Sequence, residues 1–298
     1  MNSSGLILEG GGMRGVYTAG VLDFFLEHGI SFDSCYAVSA GACHGCSYLS
    51  GQQGRALRVT VDYLEDKRYC SIYSLLTTGD IFGADMAYNQ IPNYLDPYDY
   101  EAFKKRKTNF YVVVTNCRTG QPEYVPVEEM VEGLLAVRAS SSLPLLSRMV
   151  MIKGTEYLDG GIADSIPLRK SQSDGHDKNV VVLTQAVDYR KKPNQLMPFI
   201  RMRYRKYPAL VRQMERRYQQ YNETLDYIGR EEKAGRVLVI RPGKPVNIGR
   251  LEKDRNKLMV LYREGYEDAK AKHQDLIGFL SPPSPESLAG KDEKGEKV

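Results

Sequence analysis

The sequence predicts an α/β fold, with a central, mostly parallel sheet flanked by helices and a helical extension at the C-terminal side. Three observations carry this. Short apolar runs of strand length recur at residues 6–9, 32–38, 110–115, 123–127, 180–183 and 237–240. Between the first two, Val16, Ala19, Gly20, Leu22, Phe25 and Leu26 fall at helical spacing. Beyond Asp188 the pattern changes to a long basic stretch. There Ile200, Tyr204, Tyr207, Val211, Met214, Tyr218, Tyr221, Leu225 and Ile228 recur at steps of three and four. Strands separated by helices argue for a layered domain.

Taken in order, residues 6–9 read as a buried strand that opens into a glycine loop. The helix over 16–28 is stopped by Gly29. A strand over 32–38 leads into a helix of small residues over 40–49, closed by Gly51. Strands over 110–115 and 123–127 flank Arg118-Thr119-Gly120-Gln121-Pro122, a turn sequence. Lys191-Lys192-Pro193-Asn194 breaks the chain, and Pro208 suits the first turn of the long helix that follows. Residues 255–279 read as a last amphipathic helix. The Pro/Ser and Lys/Glu/Gly run over 281–298 cannot bury a face and is expected to be disordered. The expected organisation is a catalytic domain over 1–190, an extension over 191–280 packed on it, and the tail.

The 298 residues carry a net charge of only +4, so electrostatics alone do not call for nucleic acid. The five cysteines, Cys35, Cys43, Cys46, Cys70 and Cys117, are odd in number and show no disulfide framework. That points to a reducing compartment. Cys43 and Cys46 form a lone C-x-x-C that reads as buried thiols rather than a metal or redox site. No run approaches the ~20 apolar residues of a membrane span. The start lacks a basic segment and a long apolar stretch, so no signal peptide is expected. The expected location is cytoplasmic, with peripheral contact at the inner membrane face.

Three motifs carry chemistry. Gly10-Gly11-Gly12-Met13-Arg14-Gly15 follows the first strand. It fits a dinucleotide fingerprint in outline, but the next strand ends in Val38-Ser39-Ala40-Gly41 with no acid to hold a ribose. Its bare amides suit an oxyanion hole instead. Ala37-Val38-Ser39-Ala40-Gly41 places a serine at a strand-to-helix turn with small neighbours on either side, as a nucleophile elbow requires. The ordinary alternative is a helix-capping serine. Asp159-Gly160-Gly161 offers a carboxylate base, or simply a tight turn. Of the histidines, His28 and His44 lie in helices. His176 and His273 could complete a Ser-Asp-His order, but neither ends a strand.

The ordered triple resembles the patatin-like phospholipase family, whose pattern is G-G-G-x-R/K-G, then G-x-S-x-G, then D-G-G/A. The run Ala139-Ser140-Ser141-Ser142-Leu143-Pro144 is similar to the family's segment ahead of the aspartate. Ala37 departs from the family's glycine by one methyl group. The likeness covers roughly residues 5–190 and implies the family's three-layer fold. It also implies a Ser39–Asp159 dyad without catalytic histidine and an oxyanion hole at Gly10, Gly11, Gly12 and Met13. Arg14, Gly15, Ala37, Gly41, Gly160 and Gly161 would shape these motifs. No cofactor or metal is implied.

The expected function is therefore hydrolysis of lipid acyl esters, with membrane contact through the basic 201–217 stretch. Two rivals stay open: a soluble carboxylesterase or acyltransferase on the same fold, and a non-catalytic nucleotide- or lipid-binding protein.

Overall fold

A computed structural model describes residues 3–281; of the expected tail only Ser281 lies among the described residues. The strands are β1 (Ser4–Leu8), β2 (Ser34–Val38), β3 (Asn109–Asn116), β4 (Pro122–Pro126), β5 (Val150–Ile152), β6 (Thr155–Asp159), β7 (Lys178–Val182) and β8 (Val237–Ile240). The helices up to the middle of the chain are α1 (Val16–Glu27), α2 (Ala40–Leu49), α3 (Arg55–Val61), α4 (Ile72–Thr78), α5 (Tyr100–Lys105) and α6 (Met130–Ser140). Then come α7 (Leu168–Ser173), α8 (Met197–Arg203), α9 (Pro208–Lys233), α10 (Arg255–Ala271) and α11 (His273–Leu280). A π-helical segment spans Met86–Leu95.

All strands join one sheet, paired in the order β5-β6-β3-β2-β1-β7-β8, with β4 also on β3. The run β3-β2-β1-β7-β8 is parallel throughout, whereas β4, β5 and β6 pair antiparallel. Helices cover both faces, which is why the parallel strands read as unbroken apolar runs. Leu6 and Leu8 face a core shared with Val21 and Phe25 of α1 and Leu261 of α10. Ile7, one residue out of phase, faces Leu168 of α7 and Tyr221 and Ile228 of α9. The result is helix, sheet, helix.

The later part of the chain is woven into these layers. Strand β8 extends the sheet from within residues 191–280, pairing Val237 to Ile240 with Asn179 to Val182 of β7. Pro208 occupies the first turn of α9, as expected, and the helical stretch ahead of it forms the separate α8. The predicted 255–279 helix is interrupted, at Lys272.

Helix α10 lies directly on α1 because each helix presents a glycine at the crossing. A Cβ on Gly20 would sit 2.0 Å from the Tyr262 carbonyl oxygen, and one on Gly265 would sit 2.1 Å from that of Tyr17. Three tyrosines then tie the pair: Tyr17 donates to Asp268 at 2.7 Å, Tyr262 to Asp23 at 2.7 Å and Tyr266 to Glu27 at 2.6 Å. Backbone cannot yield as a flexible side chain can. Gly20→Ala or Gly265→Ala is therefore expected to cost at least about 1–3 kcal/mol. Urea-unfolding midpoints check this; an unchanged midpoint would mean the helices do not cross this closely.

Candidate active site

The site begins with a collision of two strands. Strand β4 pairs with Tyr111 to Thr115 of β3, β2 with Asn109 to Val113, and β6 with Val114 to Asn116. A strand has two edges, and β4 overlaps both of the others. So β2 and β6 share the opposite edge of β3, end to end. Because β2 runs parallel to β3 and β6 antiparallel, their C-termini meet head on: Val38 opposite Val113, Asp159 opposite Val114. Ser39 is the next residue after Val38. Its Oγ donates to Asp159 Oδ2 at 2.7 Å, with both side chains buried.

The turn at Ser39 is tight. Its φ of 53° and ψ of −124° lie where L-residues are strained. It precedes α2, yet its hydroxyl makes no cap to that helix. The capping alternative is thereby set aside; the hydroxyl is aimed at the carboxylate. Gly10 lies against it, since a Cβ there would sit 2.8 Å from the Ser39 Cβ. Ala37 is fully buried in the core, and Gly41 lets α2 approach the carbonyls of Leu8 and Glu9.

Both oxygens of Asp159 are fixed. Oδ1 accepts from the Gly161 N–H at 2.8 Å, and Oδ2 from Ser39. Gly160 passes so close to β3 that a Cβ would be 2.0 Å from the Val113 carbonyl oxygen. The serine run ahead of the aspartate braces both partners. Ser140 Oγ accepts from the Ser39 N–H at 2.8 Å, and the Ser142 carbonyl accepts from the Asp159 N–H at 2.9 Å.

The glycine loop lies alongside, with Gly12 at φ +58°. Among the described residues, the N–H groups of Gly11 and Gly12 have no acceptor. Met13 differs from expectation: its N–H donates to the Arg250 carbonyl at 3.1 Å, so it has none to offer an oxyanion. Arg14 donates through Nη1 to the Ile248 carbonyl at 3.4 Å, and Gly15 packs against Ala40 and His44.

No histidine is hydrogen-bonded to Ser39 or Asp159 among the described residues. His176 bonds Ser3 at 2.6 Å, at the far end of the parallel strands. His28 and His273 pack on Phe24. His44 lies one turn beyond Ser39 on α2, where burial pushes its imidazole down to about 4, so it is neutral at pH 7.

Ser39 stands where two cavities meet. One, of about 150 Å³, is apolar and is walled by Tyr88, Ile91, Met130, Leu134 and Val137. The other, of about 30 Å³, is polar and contains Asp159, the glycine loop, Glu9 and the cations Arg14, Lys191, Arg217 and Arg250. Ser39, Gly12 and Leu143 line both. Burial lowers the Arg217 guanidinium to about 10; neighbouring Arg250 acts the same way and Asp159 opposes it. Burial also lowers the Lys191 amine to about 7, helped by Arg217, Arg250 and Arg14 and opposed by Glu9. Lys191, Arg217 and Arg250 carried no signal in the sequence, because only the fold brings three distant positions together.

A profile of patatin-like phospholipases matches residues 6–170, more than half of the chain, and that span holds the Ser39 and Asp159 motifs. The chain belongs to the patatin-like phospholipase family. A second profile, of a domain of unknown function, matches residues 207–281 of this patatin-like chain. It is 32% identical over 188 residues to the uncharacterized protein YjjU of Escherichia coli, covering 60% of this chain and 51% of that protein. It is 26% identical over 202 residues to lysophospholipase NTE1 of Meyerozyma guilliermondii, covering 64% of this chain and 13% of that one. The chain thus spans about half of the first relative and a small part of the second. The structure of VipD from Legionella pneumophila matches over 91% of this chain and 66% of that one, with a TM-score of 0.44 and 14% identity.

Two outcomes are expected from this geometry. Ser39→Gly and Ser39→Ala lose the same hydroxyl, but only alanine keeps the strain of a positive φ. The glycine variant should therefore unfold with about 1–2 kcal/mol more resistance, read from denaturant midpoints. The second concerns Lys191, whose amine titrates near 7 folded but near ~10.4 unfolded. Between those values the unfolded chain holds a proton that the folded chain has lost, so stability from this group rises with pH. The stability of the native chain relative to Lys191→Met should climb between pH 7 and 9. A constant difference would show that Lys191 is not buried among Arg14, Arg217 and Arg250 as described.

Proposed function

We propose that this chain is a serine hydrolase of lipid acyl esters, acting through a Ser39–Asp159 dyad. The observation that supports it best is the 2.7 Å bond from Ser39 Oγ to Asp159 Oδ2 at a strained turn. In this reading Ser39 Oγ attacks the acyl carbonyl while its proton passes to Asp159. A carboxylate is too weak a base to take a hydroxyl proton ahead of bond formation, so transfer and attack are concerted. The N–H groups of Gly11 and Gly12 receive the charge that develops on the carbonyl oxygen. Asp159 returns the proton to the departing alcohol as the ester bond breaks. Water then attacks the acyl-serine, giving a proton to Asp159, and the fatty acid leaves as the Ser39 hydroxyl is restored.

The apolar cavity gives the acyl chain a place beside the reacting carbon. The family, and a relative called a lysophospholipase, support a lipid substrate. Residues 1–190 carry the reacting groups in this reading, and 191–280 add β8 to the same sheet and line the polar cavity. Access from a lipid surface is supported by α8 and its flanks, where Leu196, Phe199 and Met202 are exposed beside Arg203, Arg205 and Lys206. Three tyrosines of that stretch serve packing instead. Tyr204 and Tyr221 are buried, and Tyr207 donates to Glu156 at 2.6 Å.

Labelling with a fluorophosphonate, paired with turnover of micellar lysophospholipid and of a short soluble ester, tests the proposal. Ser39 should carry the label, and Ser39→Ala should abolish turnover. Asp159→Asn should lose about 10²–10⁴ in kcat. Full activity in Asp159→Asn removes the dyad. Preference for the soluble ester turns the reading toward a carboxylesterase.

A further inference from the structure

We propose that the polar cavity beside Ser39 is a phosphate subsite, completed by Lys191, Arg217 and Arg250 from outside the patatin-like match. It would take the phosphate of a substrate whose acyl ester lies at Ser39, and so rests on the hydrolase reading above.

Four cations line this cavity, and three of them follow residue 170. Among the described residues, none of the four forms an ion pair with a carboxylate. Arg14 Nε and Arg217 Nε are buried without any acceptor. The two carboxylates present are already engaged. Glu9 Oε1 accepts from the Tyr221 hydroxyl at 2.5 Å, and Oε2 from the Thr184 N–H at 2.6 Å and its hydroxyl at 3.0 Å. Asp159 is held by Ser39 and Gly161. Three guanidinium groups and an amine that burial drives toward its neutral form are crowded beside two engaged anions, and an anion joining them would balance their charge. Perturbed cationic groups in a cleft are a mark of such a site.

The donor set favours phosphate. Guanidinium forks and an ammonium match its tetrahedral oxygens. Lys191 also sits with Nζ over the Tyr221 ring at 4.1 Å, which sets the amine on the cavity wall. The position beside Ser39 gives the subsite its meaning. An acyl chain in the apolar cavity places its carbonyl at Ser39, and the alcohol side of the ester then leads into the cationic cavity. A glycerol phosphate there meets the cations; a neutral glycerol leaves them unmatched.

The test compares a 1-acylglycerol phosphate with the 1-acylglycerol of the same chain, each diluted equally into neutral detergent micelles. The native protein should favour the phosphate ester in kcat/KM by roughly ten- to hundred-fold, the effect of losing one or more charge-assisted bonds. Lys191→Met and Arg250→Met should each shrink that ratio about ten-fold, Arg250→Lys should restore part of it, and Lys233→Met, an exposed change on α9, should not. Thermal melting confirms that each variant folds. Inorganic phosphate, compared with acetate at equal ionic strength, should raise the melting temperature of the native protein and not of the two methionine variants. A phosphate effect on melting without ester preference assigns the subsite to free phosphate rather than to a headgroup. Equal turnover of both esters with no phosphate effect overturns the proposal. If Ser39 takes no fluorophosphonate and neither ester is cleaved, the hydrolase reading fails instead, and melting with phosphate still reports on the subsite.

Discussion

One edge of β3 holds two strands, and the rest of the site follows from their meeting. Strand β2 climbs that edge and β6 descends it, so the residues at their tips are forced together regardless of the 120 positions between them. The chain must leave this point at once on both sides. At Ser39 it does so through a strained turn into α2; after Asp159 it does so through Gly160, pressed on the Val113 carbonyl. The strain is local, while the burial that holds it is spread over the whole sheet. Antiparallel β6 at the end of a parallel sheet is thus what brings the aspartate to the serine.

In the proposed dyad, fixing Asp159 at both oxygens would let two residues stand where three are usual. In a triad, a histidine is the base and an acid orients it. Here Gly161 does the orienting, through its N–H. His44, the one histidine near Ser39 along the chain, is kept neutral by burial and packs against Gly15. Cations from α9, from the segments at 191 and 250 and from Arg14 of the glycine loop line the same cavity as the carboxylate.

Much of this was legible in the sequence, and the reason is local. The glycine loop, the elbow and the Asp-Gly-Gly each need particular small residues at fixed offsets, so they leave a readable trace. The run of parallel strands was readable because strands covered on both faces are apolar throughout. Residues 50–108 gave no such trace. The short helices α3, α4 and α5 and the π-helical segment have no sustained period, yet they supply Tyr88 and Ile91 to the apolar cavity. Met13 was misread as a free donor because its partner, Arg250, lies far along the chain. Arg217 was grouped with the surface charges of a basic stretch, although its Nε is buried beside the aspartate. Pattern within a window finds what neighbours enforce; it does not find what topology assembles.

The Arg250 carbonyl rests on Gly12 and receives the Met13 N–H, so the last turn of the glycine loop is clasped from above by a residue far downstream. During synthesis the serine and the aspartate emerge long before that clasp does. The loop therefore reaches its final form only once residue 250 has left the ribosome.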